Sequence, residues 1–112
     1  MNAPAITVAE LRERAARVHD FFLLDVRTLP EYLAGRLAFS DALLPYDLIN
    51  FHLDMLPSDK QVPIYCFCRS GRRSDLATLF LRSLGYVNAY NVAGGIVAWA
   101  AEGYEVESGP VE

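Results

Sequence analysis

Two cysteines one residue apart, Cys66 and Cys68, run into Arg69-Ser70-Gly71-Arg72-Arg73-Ser74. Here a residue able to do covalent chemistry meets residues that bind anions. Val62 to Phe67 reads as a strand, and about Ser74 to Leu84 as a helix. Cys68 therefore stands at a strand's carboxyl end, ahead of a loop feeding a helix, where open α/β sheets bind ligands. Loop amides and a helix N-terminus converge there and favour an anion. A thiolate is such an anion, so these amides and the nearby guanidinium groups should depress the Cys68 pKa. A thiol already ionised near neutrality needs no histidine as its base. Arg69, Arg72 and Arg73 suit sulfonate or phosphate oxygens through paired hydrogen bonds, although not all three are expected to face inward. Gly71 gives the loop backbone angles that a side chain would forbid. Ser70 and Ser74 offer hydroxyls to an oxyanion, with helix capping the other reading for Ser74.

Cys66 lies inside the strand, and alternation puts it on the same face as Cys68. A buried free cysteine is ordinarily a small inert hydrophobe. The competing reading takes Cys66 to Arg72 as a C-x5-R phosphate-wrapping loop. It requires a nucleophile in the middle of an apolar strand. Two cysteines are too few for a disulfide framework. His19 and His52 are not at ligand spacing to them, so no metal site is expected. The same two histidines read as helix residues without chemistry.

The chain has 112 residues, 53% of them hydrophobic, enough for one domain (1–112) with a real core. Its net charge of −4 argues against a nucleic-acid partner, while three of its ten basic residues fall within 69–73. A local positive site on an acidic body suits a small anionic ligand. The apolar runs are too short to span a bilayer. No secretory signal is visible at Met1-Asn2-Ala3-Pro4, so a cytoplasmic location away from membranes is the expectation.

The elements that position the loop follow from pattern. Thr7-Val8-Ala9-Glu10 is a capping box opening a helix to about His19. Phe21 to Val26 reads as a central strand. Thr28-Leu29-Pro30-Glu31 opens a short helix ending near Gly35. Phe39 to Leu44 suggests a short edge strand. After Pro45 a helical stretch is expected, with Leu48, Ile49, Leu53 and Leu56 inward, closed by Pro57-Ser58-Asp59. The helix after the loop should turn Leu76, Leu79, Phe80 and Leu84 inward, with Gly85 beyond its end. Val87 to Val92 reads as a strand, Gly94-Gly95 as a turn, and Ile96 to Glu102 as a last helix. Alternating strands and short helices predict a parallel sheet covered on both faces.

These residues resemble the rhodanese homology domain from about Ile6 to Val106. Leu23-Leu24-Asp25-Val26-Arg27, with Glu31-Tyr32 and Gly35 after it, is similar to the family's opening strand motif. Tyr65 to Ser74 resembles its active-site loop, and Gly94-Gly95-Ile96-Val97-Ala98-Trp99 its closing motif. The resemblance implies an α/β three-layer fold, with a mostly parallel sheet of about five strands between helices. In that family a six-residue loop from the cysteine implies sulfane-sulfur transfer, and one residue more marks the related phosphatases; Cys68 to Arg73 is the shorter loop.

The implied reaction is sulfurtransfer from thiosulfate or a similar small anionic donor to cyanide or a thiol, through a Cys68 persulfide and with no cofactor. A sulfur-accepting protein is a further possible partner. A non-catalytic carrier or regulatory module, and a phosphatase or arsenate reductase, are the alternatives. Asp25 and Arg27 are expected to brace sheet and loop more than to catalyse. The chain has Arg36 where the family commonly has histidine, and 37–45 lacks the usual proline-glycine turn and asparagine and is one residue longer. In the family fold this region lies beside the active-site edge, so these departures bear on pocket shape and acceptor preference. Trp99 is expected to anchor the last helix in the core.

Overall fold

The computed structural model describes residues 2–111. Strand β1 (Ala5–Ile6) leads straight into helix α1 (Val8–Arg17). The Thr7 hydroxyl accepts the Glu10 amide while the Glu10 carboxylate accepts the Thr7 amide, the reciprocal cap expected there. After strand β2 (Phe22–Asp25), Thr28 and Glu31 repeat this arrangement at the start of helix α2 (Leu29–Ala34), with Pro30 in its first turn. Strand β3 (Ala42–Leu43), strand β4 (Ile64–Phe67), helix α3 (Arg72–Ser83), strand β5 (Ala89–Val92) and helix α4 (Gly95–Ala101) complete the regular elements.

The five strands form one sheet in the order β1-β5-β4-β2-β3, and every pairing is parallel. Cys68 thus follows a strand with a neighbour on each side. Alternation then sorts the side chains. Leu24, Ile64, Cys66 and Ala89 face Ala77 and Leu81 of α3. Leu23, Tyr65, Phe67 and Val92 face Leu11 of α1 and Trp99 of α4. Trp99 is buried, its indole N–H donating to the Glu105 carbonyl at 2.8 Å, as suits an anchor for α4.

Three expectations are corrected. Strand β1 had no counterpart in the sequence reading. The stretch after Pro45 is not one helix: it is two 3-10 turns, Ile49–Phe51 and Leu53–Met55, broken at His52. Bonds such as His52 N–H to the Ile49 carbonyl span three residues, so α-helical periodicity fails: Ile49 and Leu56 are buried but Leu48 and Leu53 are exposed. Helix α3 meets the expected face only in part: Phe80 and Leu84 pack, partly buried, against the core, but its fully buried seam is a different one. Ser74, Ala77, Thr78 and Leu81 lie inward, while Leu76 is 54% exposed. Small residues at that seam let α3 sit close over β4, with two hydroxyls on the cysteine side. Among the described residues no helix is long and apolar enough to cross a membrane.

Asp25 and Arg27 form a buried ion pair at the end of β2, with Arg27 Nη2 at 2.7 Å and Nε at 2.9 Å from the carboxylate oxygens. Arg27 Nη2 also donates to the Gly35 carbonyl at 2.8 Å, tying α2 to the sheet. Removing one partner strands the other without water. We expect Asp25→Ala or Arg27→Ala to lower unfolding free energy in urea by about 3 kcal/mol. Loss of the exposed Glu13–Arg17 pair should cost no more than about 0.5 kcal/mol.

Candidate active site

Cys68 is the first residue beyond β4, and three groups able to donate lie around its sulfur. The Gly71 amide lies 3.1 Å from Sγ, the Ser74 hydroxyl 3.2 Å and the Ser74 amide 3.5 Å. Burial pushes the Cys68 thiol up, but the Ser74 hydroxyl and the amides of Ser74, Gly71 and Ser70 outweigh it. The net shift is below the ordinary thiol value. Cys66, on the same sheet face, goes the other way. Burial pushes its thiol up to about 12; a hydrogen bond with Thr78 opposes this and the nearby Cys68 adds to it. The C-x5-R reading fails here, because its nucleophile would be a protonated thiol enclosed within β4.

The start of the loop, including the Ser70 amide that helps to lower the thiol, is held by α4 through its carbonyls. Ile96 N–H donates to the Cys68 carbonyl at 3.0 Å and Val97 N–H to the Arg69 carbonyl at 3.1 Å, both from the first turn of α4. Gly95 permits this approach: a Cβ there would fall 2.2 Å from the Cys68 carbonyl oxygen, and its φ is +53°. Gly71 has φ +96°, which turns its amide to the sulfur. Its carbonyl accepts the Asn91 side-chain amide at 3.0 Å, and Asn91 Oδ1 lies 2.5 Å from the Ser74 hydroxyl. Asn91 was missed in the sequence, where the one available signal was a polar residue at an inward position of β5.

The three arginines separate by environment. Arg73 is committed to Glu31, with Nη1 to Oε1 and Nη2 to Oε2 both 2.8 Å. That pairing holds the Glu31 carboxyl at about 2, well below an ordinary 4.5, with burial opposing and Thr28 adding to the shift. Arg69 and Arg72 are exposed and form no ion pair among the described residues. Ser70 is exposed on the loop, whereas Ser74 is buried against the sulfur. Asp25 and Arg27 support the site from β2, their pair reaching α2 through the Gly35 carbonyl.

The structure places Arg36 away from the loop. It is buried, donates to the Gly109 carbonyl at 2.8 Å and the Tyr32 carbonyl at 3.2 Å, and joins a backbone bridge with Glu107. It fastens the C-terminal segment to α2. His19 lies 2.7 Å from the Asp41 carboxylate and stacks on Phe21, and His52 is exposed between the 3-10 turns. Among the described residues no group of three or more His, Cys, Asp or Glu could hold a metal ion.

Residues 7–102 match the family described as the rhodanese-like domain. The chain belongs to that family. A sulfurtransferase of Allochromatium vinosum is 41% identical over 97 residues, 86% of this chain and 87% of its own length. An adenylyltransferase and sulfurtransferase of Ogataea parapolymorpha is 36% identical over 81 residues; these are 72% of this chain but 20% of that longer protein. The crystal structure of a rhodanese-related protein from Thermoplasma volcanium superposes with a TM-score of 0.80 at 32% identity, over 93% of this chain and 97% of the other. The rhodanese-like three-layer fold is therefore the architecture that carries the Cys68 loop.

Two measurements probe this geometry. Gly95→Ala must move the Cys68 carbonyl or α4, so it should lose about 3 kcal/mol in urea unfolding. Glu31 contributes in the opposite range from a base. Its depressed pKa gives stability that is complete above about 4.5 and lost as pH falls through about 2. Glu31→Gln should therefore show a flatter stability profile than the parent across that interval.

Proposed function

We propose that the protein is a sulfurtransferase that moves a sulfane sulfur from thiosulfate, or a similar small anionic donor, to cyanide or a thiol by way of a Cys68 persulfide. The observation that carries this reading is the convergence of the Gly71 and Ser74 amides and the Ser74 hydroxyl on Cys68 Sγ. Such a cradle favours a sulfur anion at Cys68. The relatives named as sulfurtransferases support it, since the match to the one from Allochromatium vinosum spans 87% of that protein.

The steps balance without a cofactor. The Cys68 thiolate attacks the outer sulfur of thiosulfate, the donor's S–S bond breaks, and sulfite leaves with the bonding pair. The negative charge then rests on the outer sulfur of the persulfide, within reach of the loop amides. Cyanide attacks that sulfur, departs as thiocyanate, and restores the Cys68 thiolate; a thiolate acceptor leaves instead as its own persulfide. Arg69 and Arg72 are the guanidinium groups free to orient the donor's sulfonate, because Arg73 is held by Glu31. A cytoplasmic setting, where thiols stay reduced, suits this chemistry.

Incubation with thiosulfate should add one sulfur atom, removable by dithiothreitol and seen by mass spectrometry. Cys68→Ser should abolish that loading and Cys66→Ser should retain it; the reverse pattern would overturn the assignment. Thiocyanate formation then separates an enzyme from a carrier, which loads but turns over slowly. Arg69→Ala with Arg72→Ala should raise KM for thiosulfate about tenfold or more while leaving the loop intact. Hydrolysis of an aryl phosphate with no persulfide formed would favour the phosphatase reading.

A further inference from the structure

One buried hydroxyl stands between two acceptors. Ser74 Oγ lies 2.5 Å from Asn91 Oδ1 and 3.2 Å from Cys68 Sγ, and all three residues are buried. The Asn91 amide has a single sensible orientation. The Gly71 carbonyl, 3.0 Å away, only accepts, so the group facing it is Nδ2 and the group facing Ser74 is the oxygen. Oδ1 carries no proton, so the hydrogen in the short contact belongs to Ser74. A hydroxyl has one hydrogen to give.

We infer that Asn91 is a positioning residue that acts on Cys68 through Ser74, by competing with the sulfur for the single Ser74 hydroxyl proton. With Cys68 as a thiol, S–H donates to Ser74 Oγ and Ser74 donates to Asn91, so every donor is used. With Cys68 as a thiolate, Ser74 must swing its proton to the sulfur and Asn91 Oδ1 loses its partner. Asn91 therefore opposes the loop amides, which favour the anion. The opposition has a chemical use. Nucleophilicity falls as thiol pKa falls, so a thiolate stabilised by amides alone would be plentiful but sluggish. In the sulfur-transfer cycle proposed above, the persulfide's charge moves to the outer sulfur, and Ser74 returns to Asn91.

The charged and titratable groups around the sulfur are few. Arg73 of α3, held by Glu31 of α2, acts on Cys68, with Asp25 and its partner Arg27 behind it on the β2 side, and Cys66 lies on β4. Arg69 and Arg72 flank the loop from exposed positions. Asp75 follows Ser74 in α3, lines the same cavity as Asn91 and accepts the Ala3 amide. Strand β5 and helix α4 contain no charged side chain. None of these changes in an Asn91 variant.

The test is the pH profile of Cys68 alkylation by iodoacetamide, with thiolate absorbance near 240 nm as an independent readout. It reads the thiol itself, so its outcome is separate from whether thiosulfate loads the protein. Asn91→Leu should shift the profile to lower pH by about one unit, a tenfold change in the thiolate-to-thiol ratio. In a Ser74→Ala background the same substitution should shift it by less than a third of that. Equal shifts in both backgrounds would mean that Asn91 acts through the Gly71 carbonyl, and an alkaline shift or none would mean that it does not compete for the proton. Either result overturns the proposal. Asn91→Ala carries the same expectations should Asn91→Leu fail to fold by circular dichroism.

Discussion

An amide can face Cys68 Sγ only if the carbonyls of the same loop have somewhere else to go. The first turn of α4 provides the place, taking the Cys68 and Arg69 carbonyls onto the amides of Ile96 and Val97. Those two bonds fix the peptide planes that carry the Arg69 and Ser70 amides, and the Ser70 amide joins those of Gly71 and Ser74 in favouring the sulfur anion. The closing glycine pair and the cysteine loop, far apart in sequence, are thus one device. A side chain at Gly95 would push the two segments apart and release the planes that lower the thiol.

The second side of the loop is held by α2, a helix of six residues with no buried side chain of its own. Packing cannot fix so short an element, and polar contacts do it instead. Glu31 is bonded both to Thr28, which opens the helix, and to Arg73, in the first turn of α3. At the other end Arg27 Nη2 donates to the Gly35 carbonyl, and Arg36 fastens the C-terminal segment to the same helix. Arg73 therefore spends its charge on architecture. Arg69 and Arg72, exposed and without an ion pair among the described residues, are the loop arginines left for the anionic donor in the proposed reaction.

What was legible in the sequence was local chemistry with strict spacing. Both capping boxes, the strand-to-helix position of Cys68 and the central apolar runs are set by residues within a few positions of one another. What was not legible depended on tertiary partners. Strand β1 is two residues long and exists because β5 offers an edge, so no periodicity marks it. Hydrophobicity pointed to Leu76, Leu79, Phe80 and Leu84 as the inner face of α3; Phe80 and Leu84 do reach the core, but close approach to β4 selected Ser74, Ala77 and Thr78 for the buried seam. The Glu31–Arg73 pair joins residues 42 apart in sequence. Asn91 is invisible for the same reason: its partners, Gly71 of the loop and Ser74 in the first turn of α3, are not shown by the sequence to lie beside it.

The two cysteines show how far environment decides chemistry within one strand. They share a sheet face and are separated by one residue, yet burial holds Cys66 protonated while Cys68 is drawn toward the anion. Burial opposes ionisation at both. Cys66 has the Thr78 hydroxyl as its one opposing partner, being inside β4 where the backbone amides are spent on the sheet. Cys68 lies one step past the last strand residue, where the amides ahead of it have no strand to pair with and can turn inward. Reactivity follows from that step out of the ladder, because backbone donors are free to serve a side chain only where secondary structure has stopped using them.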